Sequence, residues 1–173
     1  MNQTFRTSPT SPTSPPPHAP HRRAPRIAVV SSSWHRDIVD QALQGMRDEF
    51  ARSGLAADQI DEFAVPGAFE IPLHVQKLAN QRRHEAIIAC GLVVNGGIYR
   101  HEFVASAVID GLMRVMLDSG VPVLSAVLTP RDFHDHDEHR RFFAEHFVGK
   151  GAEVARACLA TLMALPRLEP AVA

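Results

Sequence analysis

Tyr99, Arg100, His101 and Glu102 form a dense polar run that follows the diglycine Gly96-Gly97 and the apolar stretch Ile87 to Val94. Phe103, Val104, Val108, Leu112 and Val115 continue at helical spacing, so the whole reads as a buried strand turning into a helix. Such a junction has the makings of an anion site. Gly96 and Gly97 permit positive φ and close backbone approach, and amides at the helix start would face a phosphate or carboxylate. A plain tight turn uses glycines in the same way, so the junction alone leaves both readings open.

Four other places carry groups that could do chemistry. Trp34, the single tryptophan, comes straight after a strand and could stack on a planar ligand or pack at a core or subunit contact. Glu70, near a helix start, could bind a ligand or simply complement the helix dipole. Lys150, between Gly149 and Gly151, could reach a ligand or cap a helix. The run His134-Asp135-His136-Asp137-Glu138-His139 puts His136 and His139 on one helix face, but no downstream carboxylate or cysteine completes a set of metal ligands. A solvated helix face accounts for it, and no metal is expected.

Alternating strands and helices must position these groups. The apolar pattern predicts strands over Ile27 to Ser31, Gln59 to Val65, Ala86 to Val94 and Pro122 to Thr129. Helices are expected over His35 to Arg52, with Ser33 as its cap, then Ile71 to Gln81 and Arg100 to Ser119. Two more should follow, from about Arg131 to His146 and from about Ala152 to Leu165. Strands separated by helices argue for a parallel sheet covered on both faces, with ligands beyond the carboxyl ends of the strands. Residues 33–35, 66–70, 92–102 and 125–131 are expected at those ends.

Composition narrows the function classes. With 173 residues, 45% of them hydrophobic, the chain has the size of one domain plus a tail, taken as residues 26–173 and 1–25. The tail is rich in proline, serine and threonine and reads as disordered or polyproline-like. A net charge of -1 favours neither nucleic acid nor an anionic membrane. Cys90 and Cys158 sit in apolar stretches as small core residues of a reducing compartment. No apolar run is long enough to span a bilayer, and the first residues lack the apolar core of a signal peptide, so a cytoplasmic location is expected.

The segment Val65-Pro66-Gly67-Ala68-Phe69-Glu70-Ile71-Pro72 gives the pattern its specificity. Taken with Ser33-Trp34-His35, the diglycine junction, Val121-Pro122-Val123-Leu124 and Gly149-Lys150-Gly151, the order resembles the lumazine synthases. The Gly-Gly-Ile-Tyr-Arg-His turn is similar to that of their divergent, type II branch, known from rhizobia and relatives. The resemblance implies a flavodoxin-like three-layer α/β/α protomer with a mainly parallel four-stranded sheet. It also implies pentamers, in the divergent branch two of them face to face. The implied reaction condenses 5-amino-6-(D-ribitylamino)uracil with 3,4-dihydroxy-2-butanone 4-phosphate to 6,7-dimethyl-8-ribityllumazine, without a cofactor or metal. A lumazine- or flavin-binding protein with little turnover would share the same pocket residues.

By the same resemblance, Trp34 stacks on the heterocycle, while Ala68, Phe69 and Glu70 hold the ribityl chain and ring. Leu92, Val93 and Val94 present backbone groups to the pyrimidine edge; Gly97, Ile98, Ser125, His139 and Lys150 complete the substrate contacts. Arg100 and His101 carry the catalytic expectation. Arg100 occupies the register where most relatives place a histidine, and a guanidinium cannot accept a proton. His101, one position on, points about 100° away on an ideal helix, so it substitutes only if the turn is remodelled. Arg100 is therefore expected to bind phosphate, with His139 or Arg131 assisting.

Overall fold

The computed structural model describes residues 25–95, 97, 100–130, 133 and 136–168. Arg131 and Ile98, both expected near the ligand, lie outside the described residues.

Four strands form one sheet: β1 (Ile27–Ser32), β2 (Ile60–Val65), β3 (Ala86–Leu92) and β4 (Val123–Leu128). All three pairings are parallel, in the order β2-β1-β3-β4. Every residue of β1 and β3 is buried, as a central strand covered on both faces requires. Side chains alternate between layers. Ile27 and Val29 of β1, with Ile88 and Cys90 of β3, point to one face, and Ala28, Val30, Ile87 and Ala89 to the other.

Helices α1 (Arg36–Arg52) and α4 (Asp137–Ala164) cover the first face, and α2 (Ile71–Gln81) and α3 (His101–Ser119) the second. The result is the expected three-layer α/β architecture. Among the described residues, no helix is long and apolar enough to cross a membrane.

The C-terminal part departs from the expectation of two helices, because α4 runs unbroken through Gly149-Lys150-Gly151. The glycines serve packing instead of a break. A Cβ on Gly151 would lie 2.0 Å from the Ala42 carbonyl oxygen, and a Cβ on Gly45 would lie 2.1 Å from that of Val148. The two helices thus touch backbone to backbone, each contributing one glycine. Glycine costs about 1 kcal/mol relative to alanine within a helix, an amount the close approach offsets. Polar pairs flank the contact: Arg140 with Asp37 at 2.6 Å, and Arg156 with the buried Glu49 at 3.0 Å.

The opposite end of the sheet is tied by Asp61. Arg26 donates to both its carboxylate oxygens, at 2.6 and 2.5 Å, and the buried His84 Nε2 lies 2.8 Å away. The Arg26 hydrogen bonds hold the Asp61 carboxyl down to about 2. Both cysteines are free thiols, and burial pushes each up to about 12, which makes them poor nucleophiles.

Two consequences are measurable. Gly45→Ala and Gly151→Ala should each lower stability by about 1–3 kcal/mol or more through overpacking, read as a drop in denaturant midpoint. Gly149→Ala, whose Cβ would meet nothing within 4 Å, should be neutral or stabilise by up to about 1 kcal/mol. Because the Asp61 carboxyl is depressed in the folded state, its stabilisation is present above about pH 3.9 and lost as pH falls through about 2. The gap in unfolding temperature between the native protein and Asp61→Asn should therefore close on acidification, followed by circular dichroism.

Candidate active site

The sheet order places β1 between β2 and β3, so the crossovers from β1 and from β3 leave in opposite senses. A crevice opens at the carboxyl ends of such strands. Here it is a cavity of about 460 Å³, lined by Trp34 and His35 after β1, Gly67 to Glu70 after β2, Leu92 to Val94 after β3, and His101 and Val104 of α3.

Ser33 sets the β1 end of the wall. It does not cap α1 as expected; its hydroxyl donates to the Val65 carbonyl at 2.8 Å, and its N–H reaches the same oxygen at 2.8 Å. β1 and β2 are thereby joined where the chain leaves the sheet. His35 performs the capping instead, through its backbone carbonyl, which accepts from Ile38 and Val39 N–H at 3.0 Å each. Its φ of 52° and ψ of 44° lie in the left-handed region.

Trp34 is 65% exposed and Phe69 is 64% exposed, so two large aromatic surfaces face the solvent at the rim. Exposed aromatics beside a cavity suit a planar partner. Gly67 makes room for the Glu70 carboxylate, since a Cβ there would lie 3.0 Å from Oε2, while the Trp34 ring at 3.7 Å would be in ordinary contact. Glu70 closes its own turn by accepting the Gly67 N–H on Oε2 at 2.8 Å, a local role distinct from both ligand binding and the dipole complement. Ala68 is buried beneath them.

Leu92 and Val93 form the apolar floor. The Val93 N–H, expected to face a ligand, instead donates to the Leu128 carbonyl at 2.9 Å, extending the sheet one residue beyond β3. Gly97 has the positive φ foreseen, 75°, but its N–H donates to Asn95 Oδ1 at 3.0 Å. That amide is already engaged.

The helix start is the main revision. α3 begins at His101, while Arg100 precedes it in extended conformation, with φ of -76° and ψ of 90°. This remodelled turn sends His101 into the cavity wall, its side chain 15% exposed, with Nδ1 3.4 Å from the Glu102 carboxylate. Arg100 points elsewhere, its guanidinium over the Phe103 ring at 4.9 Å from the centroid. The Arg100 side chain at the N-cap does not cap α3, and the first amides of the helix favour an anion electrostatically.

Ser125, His139 and Lys150 are not brought to this cavity. Ser125 lies in the middle of edge strand β4, opposite Ala89 and short of the carboxyl end where it was expected; its Oγ accepts the Val127 N–H at 3.3 Å. His139 stands in the first turn of α4, its ring 4.6 Å from that of His136 and 6.1 Å from that of Phe143. The Lys150 ammonium pairs with Glu153 at 2.7 Å. Among the described residues, no three His, Cys, Asp or Glu side chains are grouped as metal ligands.

Three lining residues were absent from the expected set: His35, Gly67 and Val104. Val104 was legible, lying three positions after His101 on the same helix face. His35 adjoins Trp34, but its orientation depends on the left-handed turn, for which the sequence gives no strong signal.

Comparison with known proteins agrees with this geometry. The family profile described as 6,7-dimethyl-8-ribityllumazine synthase matches residues 24–165. The chain is 59% identical over 143 residues to the Rhodococcus erythropolis protein named 6,7-dimethyl-8-ribityllumazine synthase, covering 83% of this chain and 92% of that protein. It is 54% identical over 149 residues to 6,7-dimethyl-8-ribityllumazine synthase 2 of Bradyrhizobium diazoefficiens, covering 86% and 88%. A Pseudomonas syringae pv. tomato protein, also named synthase 2, is 53% identical over 137 residues, covering 79% and 81%.

If the rim aromatics receive a planar ligand, Trp34→Ala should weaken binding of a heteroaromatic ring by about 1–3 kcal/mol. Calorimetric titration with such a ligand measures this, and unchanged affinity would place the ligand elsewhere.

Proposed function

The chain belongs to the 6,7-dimethyl-8-ribityllumazine synthase family, and from that premise we propose that it condenses 5-amino-6-(D-ribitylamino)uracil with 3,4-dihydroxy-2-butanone 4-phosphate. The products are 6,7-dimethyl-8-ribityllumazine, phosphate and water. The observation that carries the reading is the convergence of Trp34, Phe69 and His101 on one apolar cavity at the switch point of the sheet. Belonging to the divergent branch is supported by the relatives named synthase 2 and by Arg100 before the helix.

Each need of the reaction has a candidate. The pyrimidine lies against Trp34, with Phe69 and the apolar ends of β3 enclosing its other surfaces. The butanone phosphate docks near the start of α3, where the Arg100 guanidinium reaches it by swinging off the exposed Phe103 ring. His101 handles protons during the loss of phosphate. General acid–base help is worth about 10²- to 10⁴-fold, whereas holding two reactants together supplies effective molarities of about 10⁵ M or more. An enzyme with this wall can work chiefly by positioning.

The protein acts as a closed homo-oligomer, a pentamer or a pair of pentamers. Phe103, Met113 and Leu117 support this, recurring at helical spacing and lying exposed along α3. Ser125, His139 and Lys150, which do not line the cavity of their own protomer, then contribute from a neighbour. Residues 26–173 constitute the catalytic domain and 1–25 a tail. Two free thiols agree with a cytoplasmic location.

Turnover with both substrates, compared with the uncatalysed condensation at equal concentrations, tests the function. Acceleration by a preparation that sediments as a closed ring is expected; tight lumazine binding at the uncatalysed rate would make the protein a binder. Arg100→Ala should raise the KM for the butanone phosphate, since a charge-assisted contact is worth about 1.5–3 kcal/mol, and leave the KM for the pyrimidine nearly unchanged.

A further inference from the structure

A second imidazole lines the cavity and has no part in the scheme above. His35 enters the wall from the start of α1, whereas His101 enters from the start of α3. These helices cover opposite faces of the sheet. A ligand at the carboxyl ends of β1 and β3 would therefore meet one imidazole from each layer.

The backbone at His35 is unusual for its position. An N-cap residue ordinarily has extended φ and ψ, yet His35 has φ of 52°. The other described non-glycine residue with positive φ, Arg82, ends α2, where a left-handed residue is ordinary. Left-handed backbone is uncommon for any residue with a Cβ, histidine being among the types that adopt it more often, and glycine adopts it freely. The ring is also held in place. It meets the buried Phe133 edge-on, with centroids 5.4 Å apart and planes at 68°, and Phe133 in turn packs on Phe143 of α4 at 5.4 Å. Strain of this kind at a cavity wall, with the ring fixed by packing, is the signature of a residue whose side chain is used.

We propose that His35 is a catalytic residue of the condensation, carrying protons for imine formation from the wall opposite His101. The proposal rests on the synthase reading. As the primary amine of the pyrimidine adds to the ketone of the butanone phosphate, the N–C bond forms and the carbonyl oxygen becomes a hydroxyl, giving a carbinolamine. Protonated His35 then gives its proton to that hydroxyl as the C–O bond breaks and water leaves. The neutral imidazole takes the remaining N–H proton, the C=N bond is complete, and His35 is again protonated. His101 and the phosphate site remain available for the later loss of phosphate.

Two substitutions separate chemistry from architecture, because both accept the left-handed backbone. His35→Asn and His35→Gly should fold and assemble as the native protein does, with a small change in unfolding temperature set by relief of backbone strain against loss of the Phe133 contact. Each should lower kcat by about 10²-fold, with KM for either substrate changed by less than about threefold. Imidazole added to His35→Gly should restore part of the lost turnover in a concentration-dependent way, an effect no structural role predicts. Variants that keep kcat within about twofold of the native value, or a loss of kcat that imidazole leaves unchanged, overturn the assignment. A native protein no faster than the uncatalysed condensation overturns the synthase reading itself, so the two failures are distinguishable.

Discussion

The crossing of α1 and α4 is the contact on which the rest of the site depends. Side chains ordinarily hold helix axes 8–10 Å apart, but Gly45 and Gly151 remove them at this crossing. Each glycine faces a carbonyl of the other helix, so the contact has a steep wall: any Cβ meets an oxygen near 2 Å. This fixes the sliding of α4 along α1. Both helices return from parallel strands and so run in the same direction, which aligns Asp37 with Arg140 and Glu49 with Arg156. The starts of both helices consequently lie at the carboxyl end of the sheet.

The active-site wall inherits its geometry from that alignment. Phe133 is buried between the start of α1 and the body of α4, where it touches both His35 and Phe143. A shift of α4 would carry Phe143 away and loosen the edge contact that orients the His35 ring. On the other side, Ser33 ties the end of β1 to Val65, and Trp34 lies beside the turn that Gly67 and Glu70 close. Chains of short-range contacts thus hold an exposed aromatic surface on a rigid base. The exposed surface itself carries little of the protein's stability, which is why substitutions there should change binding more than folding.

Much of the architecture was legible because it rests on one-dimensional signals. Alternating apolar runs mark the strands, and the expected and observed bounds of β1, β2, α2 and α3 differ by no more than one residue. The segment Val65 to Pro72 singles out Ala68, Phe69 and Glu70, all of which line the cavity with Trp34 and Leu92 to Val94. The misread elements share one cause. Two helices read in place of α4 because a local pattern does not show that Gly151 answers to a residue more than a hundred positions away. Ser33 reads as a cap because its partner, Val65, is also distant in sequence.

By itself the amino-acid sequence determined the parallel α/β fold, the family and the residue types at the cavity, since periodicity and motif spacing are properties of neighbours along the chain. Tertiary structure decided which groups face one another. It turned the His101 imidazole inward and set Arg100 over Phe103, because consecutive helical residues point about 100° apart and Arg100 stands before the helix in extended backbone. It placed His35 in the wall through a left-handed turn that no local pattern marks. It also set Ser125, His139 and Lys150 away from their own cavity, because β4 is an edge strand and α4 answers to the glycine contact with α1. Orientation is a property of packing, and packing joins residues that the chain keeps far apart.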